Sequence, residues 1–439
     1  MYRALLGQLA KWKGKGGRRP LILKGARQVG KTWLLKEFGR QYFKDVCYIN
    51  FEKTDLADVF AGEFDPGRIL DYLSAIHGKR VLPESTLIIF DEIQELPRAL
   101  TSLKYFSEEA PEYVICSAGS HLGIALHEGT SFPVGKVDSL ELYPMGFEEF
   151  LIADGQESLT EFIRENPTGQ IPSSMAGILS DKLKQYFIIG GMPRVVQTWT
   201  DSRDFAEAAQ VQREILDDYN DDFSKHIPAN VSMKVRYVWE SIPAQLAREN
   251  RKFVYGLARE GARAREYETA LLWLKDMGFA YPVYRIEKPG IPVKAYEDKK
   301  AFKLFMLDVG LLSYMSALSP GLMAQGHGMF TEFKGALTEQ YVFGELIKNE
   351  GIRSVNYWTS EGIAEIDFVV SNNNAIIPVE VKAGEDLMAK SLKKYRADYA
   401  PEISVRTSMA GLRRDGSLQN IPLYALFNFN DYILKHPYS

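Results

Sequence analysis

Cysteine is almost missing from this sequence: Cys47 and Cys116 are the two among 439 residues. Two are too few for a disulfide framework or a cysteine-based zinc module. Both lie in apolar runs, Val46-Cys47-Tyr48 and Val114-Ile115-Cys116, which predicts buried free thiols. No apolar stretch reaches the ~18 residues that a membrane helix needs. Gln8 and Lys11 break the N-terminal apolar residues before a signal-peptide core forms. A cytoplasmic protein with no membrane partner is expected. Positive charge is not in excess either. Lys and Arg number 53 against 57 Asp and Glu, for a net charge of −4. That excludes a strongly basic nucleic-acid coat and leaves room for a local basic patch. Internal repeats and low-complexity tracts are also missing. At 46% hydrophobic and 25% charged residues the chain is an ordinary packed globular one. Its length suggests several domains of ~150 residues.

The apolar runs that are present carry the organisation. Leu21–Leu23, Val46–Phe51, Leu87–Phe90 and Tyr113–Cys116 read as short buried strands with helical stretches between them. That alternation predicts an α/β fold with a mostly parallel sheet covered on both faces. From about Gly146 the strand signal fades. Residues 146–228 read as helices, among them Ser180–Ile188 and Ala206–Asn220. Residues 229–318 read as compact helices, then strand pieces Tyr281–Ile286 and Val293–Ala295 around a Lys-Pro-Gly turn. Residues 319–439 return to α/β, with a long helix over about Phe333–Asn349 and strands near Asp367, Ile377 and Val405.

Gly25-Ala26-Arg27-Gln28-Val29-Gly30-Lys31-Thr32 matches the phosphate-binding loop pattern in full, between a strand and a helix that starts at Thr32. The glycines let backbone N–H groups wrap phosphates, and the helix N-terminus adds favourable partial charge. Lys31 is expected to reach the β- and γ-phosphates of ATP, and the Thr32 hydroxyl to ligate Mg2+. Thr86-Leu87-Ile88-Ile89-Phe90-Asp91-Glu92 is an apolar strand ending in two carboxylates. Asp91 would hold Mg2+ through water and Glu92 would polarise the attacking water. After the strand Tyr113–Cys116 comes Ser117-Ala118-Gly119-Ser120. A hydroxyl there, Ser120 in preference to Ser117, is a candidate sensor of the γ-phosphate; an ordinary small-residue turn is the alternative.

Four runs, Gly-Ala-Arg-Gln-Val-Gly-Lys-Thr, Phe-Asp-Glu-Ile-Gln, Ala-Gly-Ser and Gly190-Gly191-Met192-Pro193, resemble a family of bacterial and archaeal AAA-type ATPases. The resemblance implies an ATPase core over 1–145, a helical lid over 146–228, a winged helix over 229–318 and a restriction-endonuclease-like domain over 319–439. It also implies that Arg194 sits in the lid where a second sensor approaches the γ-phosphate. Gly135-Lys136 stands where the family often has Gly-Arg, so a finger acting across a homo-oligomer interface is in doubt here.

Residues 230–300 hold fourteen Lys and Arg against nine Asp and Glu. Arg259, Arg263 and Arg265 precede the helix Tyr267–Met277, whose Ala270, Leu271, Leu274 and Met277 form an apolar stripe. With the hairpin that follows, this resembles the family's winged helix, and it implies DNA as a partner. A solvated structural spacer is the other reading.

In the last segment, Glu365-Ile366-Asp367-Phe368 is followed by a polar hairpin and Val379-Glu380-Val381-Lys382. Strand period two puts Glu365 with Asp367, and Glu380 with Lys382; pairing across the hairpin brings Asp367 near Glu380. The constellation resembles the active site of restriction-endonuclease-like nucleases, which also use a glutamate on the preceding helix; Glu339 occupies that place. Such carboxylates suit Mg2+, or Mn2+, and Lys382 would orient or activate water. Cleavage of DNA is one expectation. The alternative is an ATP-driven switch or scaffold that binds nucleic acid or a protein partner without cutting.

Overall fold

The structure is a computed structural model and describes residues 1–119, 133–166, 170–249, 251–319, 331–360, 364–372, 375–385 and 388–434. It divides into two compact units, Tyr2–Tyr143 with Asp276–Gly278, and Pro144–Lys275 with Phe279 onward.

Among the described residues the first unit is built on five strands: β1 (Leu21–Lys24), β2 (Asp45–Asn50), β3 (Thr86–Asp91), β4 (Val114–Ala118) and β5 (Asp138–Glu141). Their order is β2-β3-β4-β1-β5 and every pairing is parallel. β3 and β4 are buried at every position, as a sheet covered on both faces requires. On one face Ile22, Ile88, Phe90 and Ile115 share a core with Ile69, Leu73, Leu100 and Leu103 of the helices Pro66–His77 and Pro97–Glu109. The helix Lys31–Tyr42 buries Leu34, Leu35 and Phe38. Both cysteines are buried and free, and burial raises their thiol pKa values.

β1 lies in the interior of this sheet, and β4 separates it from β3. Parallel order brings the carboxyl ends of β1, β3 and β4 to one edge, where open α/β sheets place ligands. The loop 25–30 leaves that end of β1. Asp91 closes β3 at the same end.

The second unit opens with helices, the longest being Ser173–Ile189, Phe205–Lys225 and Ala229–Leu246. They extend beyond the stretches that periodicity marks. Gly190-Gly191-Met192-Pro193 joins Ser173–Ile189 to the helix Pro193–Ser202 by close packing. The Gly191 N–H donates to Asp308 Oδ2 at 2.6 Å. A Cβ on Gly191 would fall 1.9 Å from the Met145 carbonyl oxygen. That approach leaves no room for a side chain at this position.

The unit's sheet has eight strands among the described residues. They are β6 (Ala280–Ile286), β7 (Glu297–Met306), β8 (Ile352–Thr359), β9 (Glu365–Asn372), β10 (Ala375–Val381), β11 (Ser404–Ser408), β12 (Arg413–Asp415) and β13 (Leu418–Pro422). The order is β12-β13-β11-β10-β9-β8-β6-β7. The hairpin β6–β7 is thus an edge of the same sheet, joined to β8 through the parallel pairs Arg285↔Tyr357 and Ile286↔Trp358. Val293–Ala295 is not the second strand. It lies in a 3-10 turn, Val293–Tyr296, and β7 begins at Glu297. The charged start Glu297-Asp298-Lys299-Lys300 hides that strand from an apolar search; only from Ala301 is it fully buried.

Candidate functional site

Lys24 ends β1, and Gly25 turns the chain with φ 140°. A Cβ on Gly25 would meet the Leu142 carbonyl oxygen at 2.2 Å, where the Leu142 N–H donates to Lys24 O at 2.8 Å. Glycine is required there by position, not only by backbone freedom. Gln28 and Gly30 also have positive φ, and Gly30 precedes the first turn of helix Lys31–Tyr42. The loop is braced from behind. Arg3, which is buried, donates to the Val29 carbonyl at 2.7 Å and to the Tyr143 carbonyl at 2.6 Å.

Lys31 donates from Nζ to the loop's own carbonyls, Gly25 O at 2.9 Å and Ala26 O at 2.7 Å. Burial pulls its pKa down to about 8, against the attraction of Glu92 and Asp91. Thr32 Oγ1 donates to Asp91 at 3.0 and 3.1 Å from the two carboxylate oxygens. The hydroxyl and carboxylate expected to share one ion are therefore neighbours across 59 residues. Tyr48 on β2 joins them, its hydroxyl donating to Asp91 Oδ2 at 2.6 Å. The Lys36 ammonium lies 3.7 Å from the centre of the Tyr48 ring. Glu92 follows with φ 49°, and Gln94 Nε2 donates to Glu92 Oε2 at 2.8 Å. Ala26, Arg27 and Val29 complete the loop. Ser120 lies outside the described residues; Ser117 is buried, its hydroxyl without a hydrogen-bond partner among the described residues. Lys136 pairs with Glu108 at 2.8 Å. Arg194 pairs with Glu214 on the helix Phe205–Lys225.

The C-terminal residues also come together. Asp367 Oδ2 accepts from the Val381 N–H at 2.7 Å, which sets it against the Glu-Val-Lys run of β10. Glu380 Oε1 pairs with Lys382 Nζ at 2.8 Å, and Glu380 Oε2 is buried with no hydrogen-bond partner among the described residues. Glu339, on helix Thr331–Lys348, faces the same cluster. Its oxygens take Arg251 Nη1 at 2.5 Å and Lys303 Nζ at 3.3 Å. Lys303 also contacts Glu365 Oε1 at 2.5 Å. Burial raises the pKa of Asp367 well above the usual carboxylate range, and neighbouring Glu339 adds to this. Burial raises Glu380 as well. Glu339 stays below the usual range despite its burial, because Lys303 and Arg251 hold it charged. Among the described residues no group of three or more His, Cys, Asp or Glu is set out to hold a metal ion.

Arg259, Arg263 and Arg265 are exposed at and before the start of helix Ala264–Asp276. The helix buries Tyr267, Ala270, Trp273 and Leu274. Leu271 is only half-buried and Met277 is buried just beyond the helix. Arg3, Tyr48, Arg251 and Lys303 escape a reading of motifs. Each lies far in sequence from the group it contacts, and no local pattern marks it.

Residues 17–151 match the model of an AAA domain. Residues 180–321 and 334–426 match two domains of unknown function, DUF8612 and DUF4143. No curated protein matches the chain. Among solved structures it is similar to the Walker-type ATPase PABY2304 of Pyrococcus abyssi. Identity is 16%, coverage 71% of this chain and 94% of that one, and the TM-score 0.44. It is similar also to the Aeropyrum pernix Orc1 protein in complex with DNA, with 13% identity, 71% and 90% coverage and a TM-score of 0.26. A third is the Thermotoga maritima RuvB Holliday junction branch migration motor, with 16% identity, 63% and 86% coverage and a TM-score of 0.26. The domain match and the loop geometry together define residues 17–151 as an AAA-type P-loop ATPase domain. No helix among the described residues is long and apolar enough to cross a membrane.

Proposed function

We propose that the chain binds and hydrolyses ATP with Mg2+ and couples that cycle to DNA, which the C-terminal carboxylates cut. The observation that carries the reading is the meeting of Thr32 and Asp91 at 3.0 Å beside the Lys31 loop. Lys31 would trade its loop carbonyls for the β- and γ-phosphates, and backbone N–H groups of 25–31 would receive the remaining phosphate oxygens. Thr32 and Asp91 would hold Mg2+, which offsets phosphate charge when bound. Glu92, fixed by Gln94, would take the proton of the attacking water. Substituting Glu92→Gln tests this. ATP binding should persist while phosphate release falls by about 10²-fold or more. Turnover equal to wild type would remove Glu92 from that role.

In the same reading, the helices and hairpin of 229–318 act as a winged helix. Exposed Arg259, Arg263 and Arg265 touch DNA phosphates, so affinity should fall steeply with salt. Glu339, Asp367 and Glu380 would supply hard oxygen donors for Mg2+ or Mn2+, and Glu380 Oε2, without a hydrogen-bond partner among the described residues, suits such an ion. Lys382 serves the water and the scissile phosphate. A second reading, binding without cleavage, is favoured by the cations already seated on Glu339 and Glu365. Arg194 as a nucleotide sensor and a homo-oligomeric assembly remain part of the first reading.

A further inference from the structure

The chain has six tryptophans. Trp12, Trp199, Trp239, Trp273 and Trp358 are buried, and Trp33 is the exception at 41% exposed. Trp12, Trp199, Trp239 and Trp358 each pack against another ring. Trp33 meets no ring and no hydrogen-bond partner among the described residues. A single exposed apolar side chain is ordinary on a protein surface. What singles this one out is its place. It follows Lys31 and Thr32 directly, in the first turn of helix Lys31–Tyr42. Thr32 and Lys36, one turn apart, lie on one flank of that helix, against Asp91 and the Tyr48 ring. Leu34, Leu35 and Phe38 face the core. Trp33 stands about 100° further round than Thr32, on the outer face. The Cα–Cβ bond of a helical residue tilts toward the helix N-terminus. A side chain in the first turn therefore leans toward the loop, where the backbone N–H groups would hold a triphosphate.

We propose that Trp33 is the platform on which the base of the bound nucleotide stacks, a specificity-determining residue of the ATPase site. This rests on the reading of Lys31 and Thr32 as the groups that hold the phosphates and Mg2+. The loop's N–H groups bind phosphate and carry no means of reading a base. Thr32, Asp91 and Glu92 serve the metal and the γ-phosphate. The base is carried at the other end of the triphosphate, beyond the α-phosphate and the ribose. An uncovered ring on the outer side of the loop suits that end, because stacking asks only for an exposed π surface. The ring stays clear of the bond that breaks. It therefore favours the bound ground state and the transition state alike, and acts on KM and not on kcat.

The test titrates ATP and inorganic triphosphate into the full chain by calorimetry in metal-free buffer, for wild type, Trp33→Phe and Trp33→Ala. The platform predicts ATP affinity lowered about tenfold in Trp33→Ala and at most about threefold in Trp33→Phe, the scale of one base on one ring. Inorganic triphosphate should bind all three alike. ATP should quench the tryptophan emission of the wild type, triphosphate should not, and the quench should vanish in Trp33→Phe. With Mg2+ present, KM for ATP should rise in Trp33→Ala by the same factor as the affinity falls, with kcat kept within about twofold. Equal losses for ATP and triphosphate in Trp33→Ala would make the residue a support of the loop and overturn the platform. ATP affinity unchanged in Trp33→Ala would overturn it too, and leave the ring to a protein surface. A wild type that binds neither ATP nor triphosphate would overturn the phosphate-loop reading, and the platform with it.

Discussion

Asp91 in the first unit and Glu339 in the second are both buried carboxylates proposed as metal donors, and they are satisfied in opposite ways. Asp91 receives neutral hydroxyls, from Thr32 and Tyr48. Glu339 receives full charges, from Arg251 and Lys303. Exchanging a hydroxyl for a metal ion costs one modest hydrogen bond. Exchanging a buried ammonium leaves that ammonium to be solvated elsewhere. Asp91 thus has only neutral partners to give up, whereas the charge of Glu339 is already balanced by cations. The contrast extends to the lysines. Lys31 rests on carbonyl oxygens, and burial brings its pKa down to about 8. Burial works against charge on Lys303 too, but Glu339, Glu365 and Asp367 outweigh it and raise its pKa.

The largest expected effect breaks the charged site. Lys303→Ala leaves buried Glu339 with one of its two cations and half-buried Glu365 without Lys303, at a cost of about 3–5 kcal/mol. Chemical denaturation of the full chain measures it. A loss under 1 kcal/mol would mean that these carboxylates readily protonate or hydrate, and that the two sites do not differ as described. Next is Lys31→Ala, which should weaken ATP binding about a hundredfold through loss of a charged partner. It should leave unfolding of the second unit unchanged. Fluorescent-nucleotide titration reads the first, and denaturant unfolding followed by a probe in the second unit reads the second.

The pH dependence sharpens the contrast between the lysines. Lys31 has a folded pKa of about 8, below its ordinary 10.5. Between those values the unfolded chain binds more protons than the folded one, so the nucleotide-free protein gains stability as pH rises. Phosphates favour the charged form. ATP affinity should therefore be flat below about pH 8 and fall above it, by up to about tenfold per unit, with proton uptake on binding. Calorimetry in two buffers of different ionisation enthalpy detects that proton. Affinity constant from pH 7 to 10 would place the Lys31 pKa at its ordinary value.

What the sequence discloses follows the same division. Gly25 to Thr32 and Leu87 to Glu92 are contiguous, so strand, turn and helix with their chemistry are legible together. Glu365, Asp367, Glu380 and Lys382 are legible because strand alternation and one hairpin relate them, and Asp367 does meet the Val381 N–H. Lys303 is not legible. Its place depends on β7 pairing β6, β6 pairing β8 and β8 pairing β9, a chain of registers that no local pattern encodes. Arg3 is hidden for the same reason; its contacts lie 26 and 140 residues away. The two domains of unknown function give no residue roles to compare with these contacts.

The smallest effect expected is at Tyr48, and it isolates what a neutral partner contributes. The Tyr48 hydroxyl donates to Asp91 Oδ2 at 2.6 Å, while Thr32 contacts both oxygens of the same carboxylate. Burial and the bond to Asp91 push the tyrosine pKa up to about 12, so it is a neutral donor at any working pH. Tyr48→Phe keeps the ring under Lys36 and removes only the donor. Thr32 remains, and Asp91 becomes freer to turn away from the ion it is assigned. The loss should be about 1 kcal/mol, or roughly fivefold in the Mg2+ needed for half-maximal ATP hydrolysis at saturating nucleotide. The melting temperature should move little, and binding of metal-free ATP should not change, because the phosphates touch Lys31 and the loop. A Mg2+ requirement unchanged in Tyr48→Phe would make the tyrosine a packing residue only. A requirement raised as far as by Asp91→Asn would mean that a neutral partner counts for as much as a charge. The contrast between the two sites would then fail at its root.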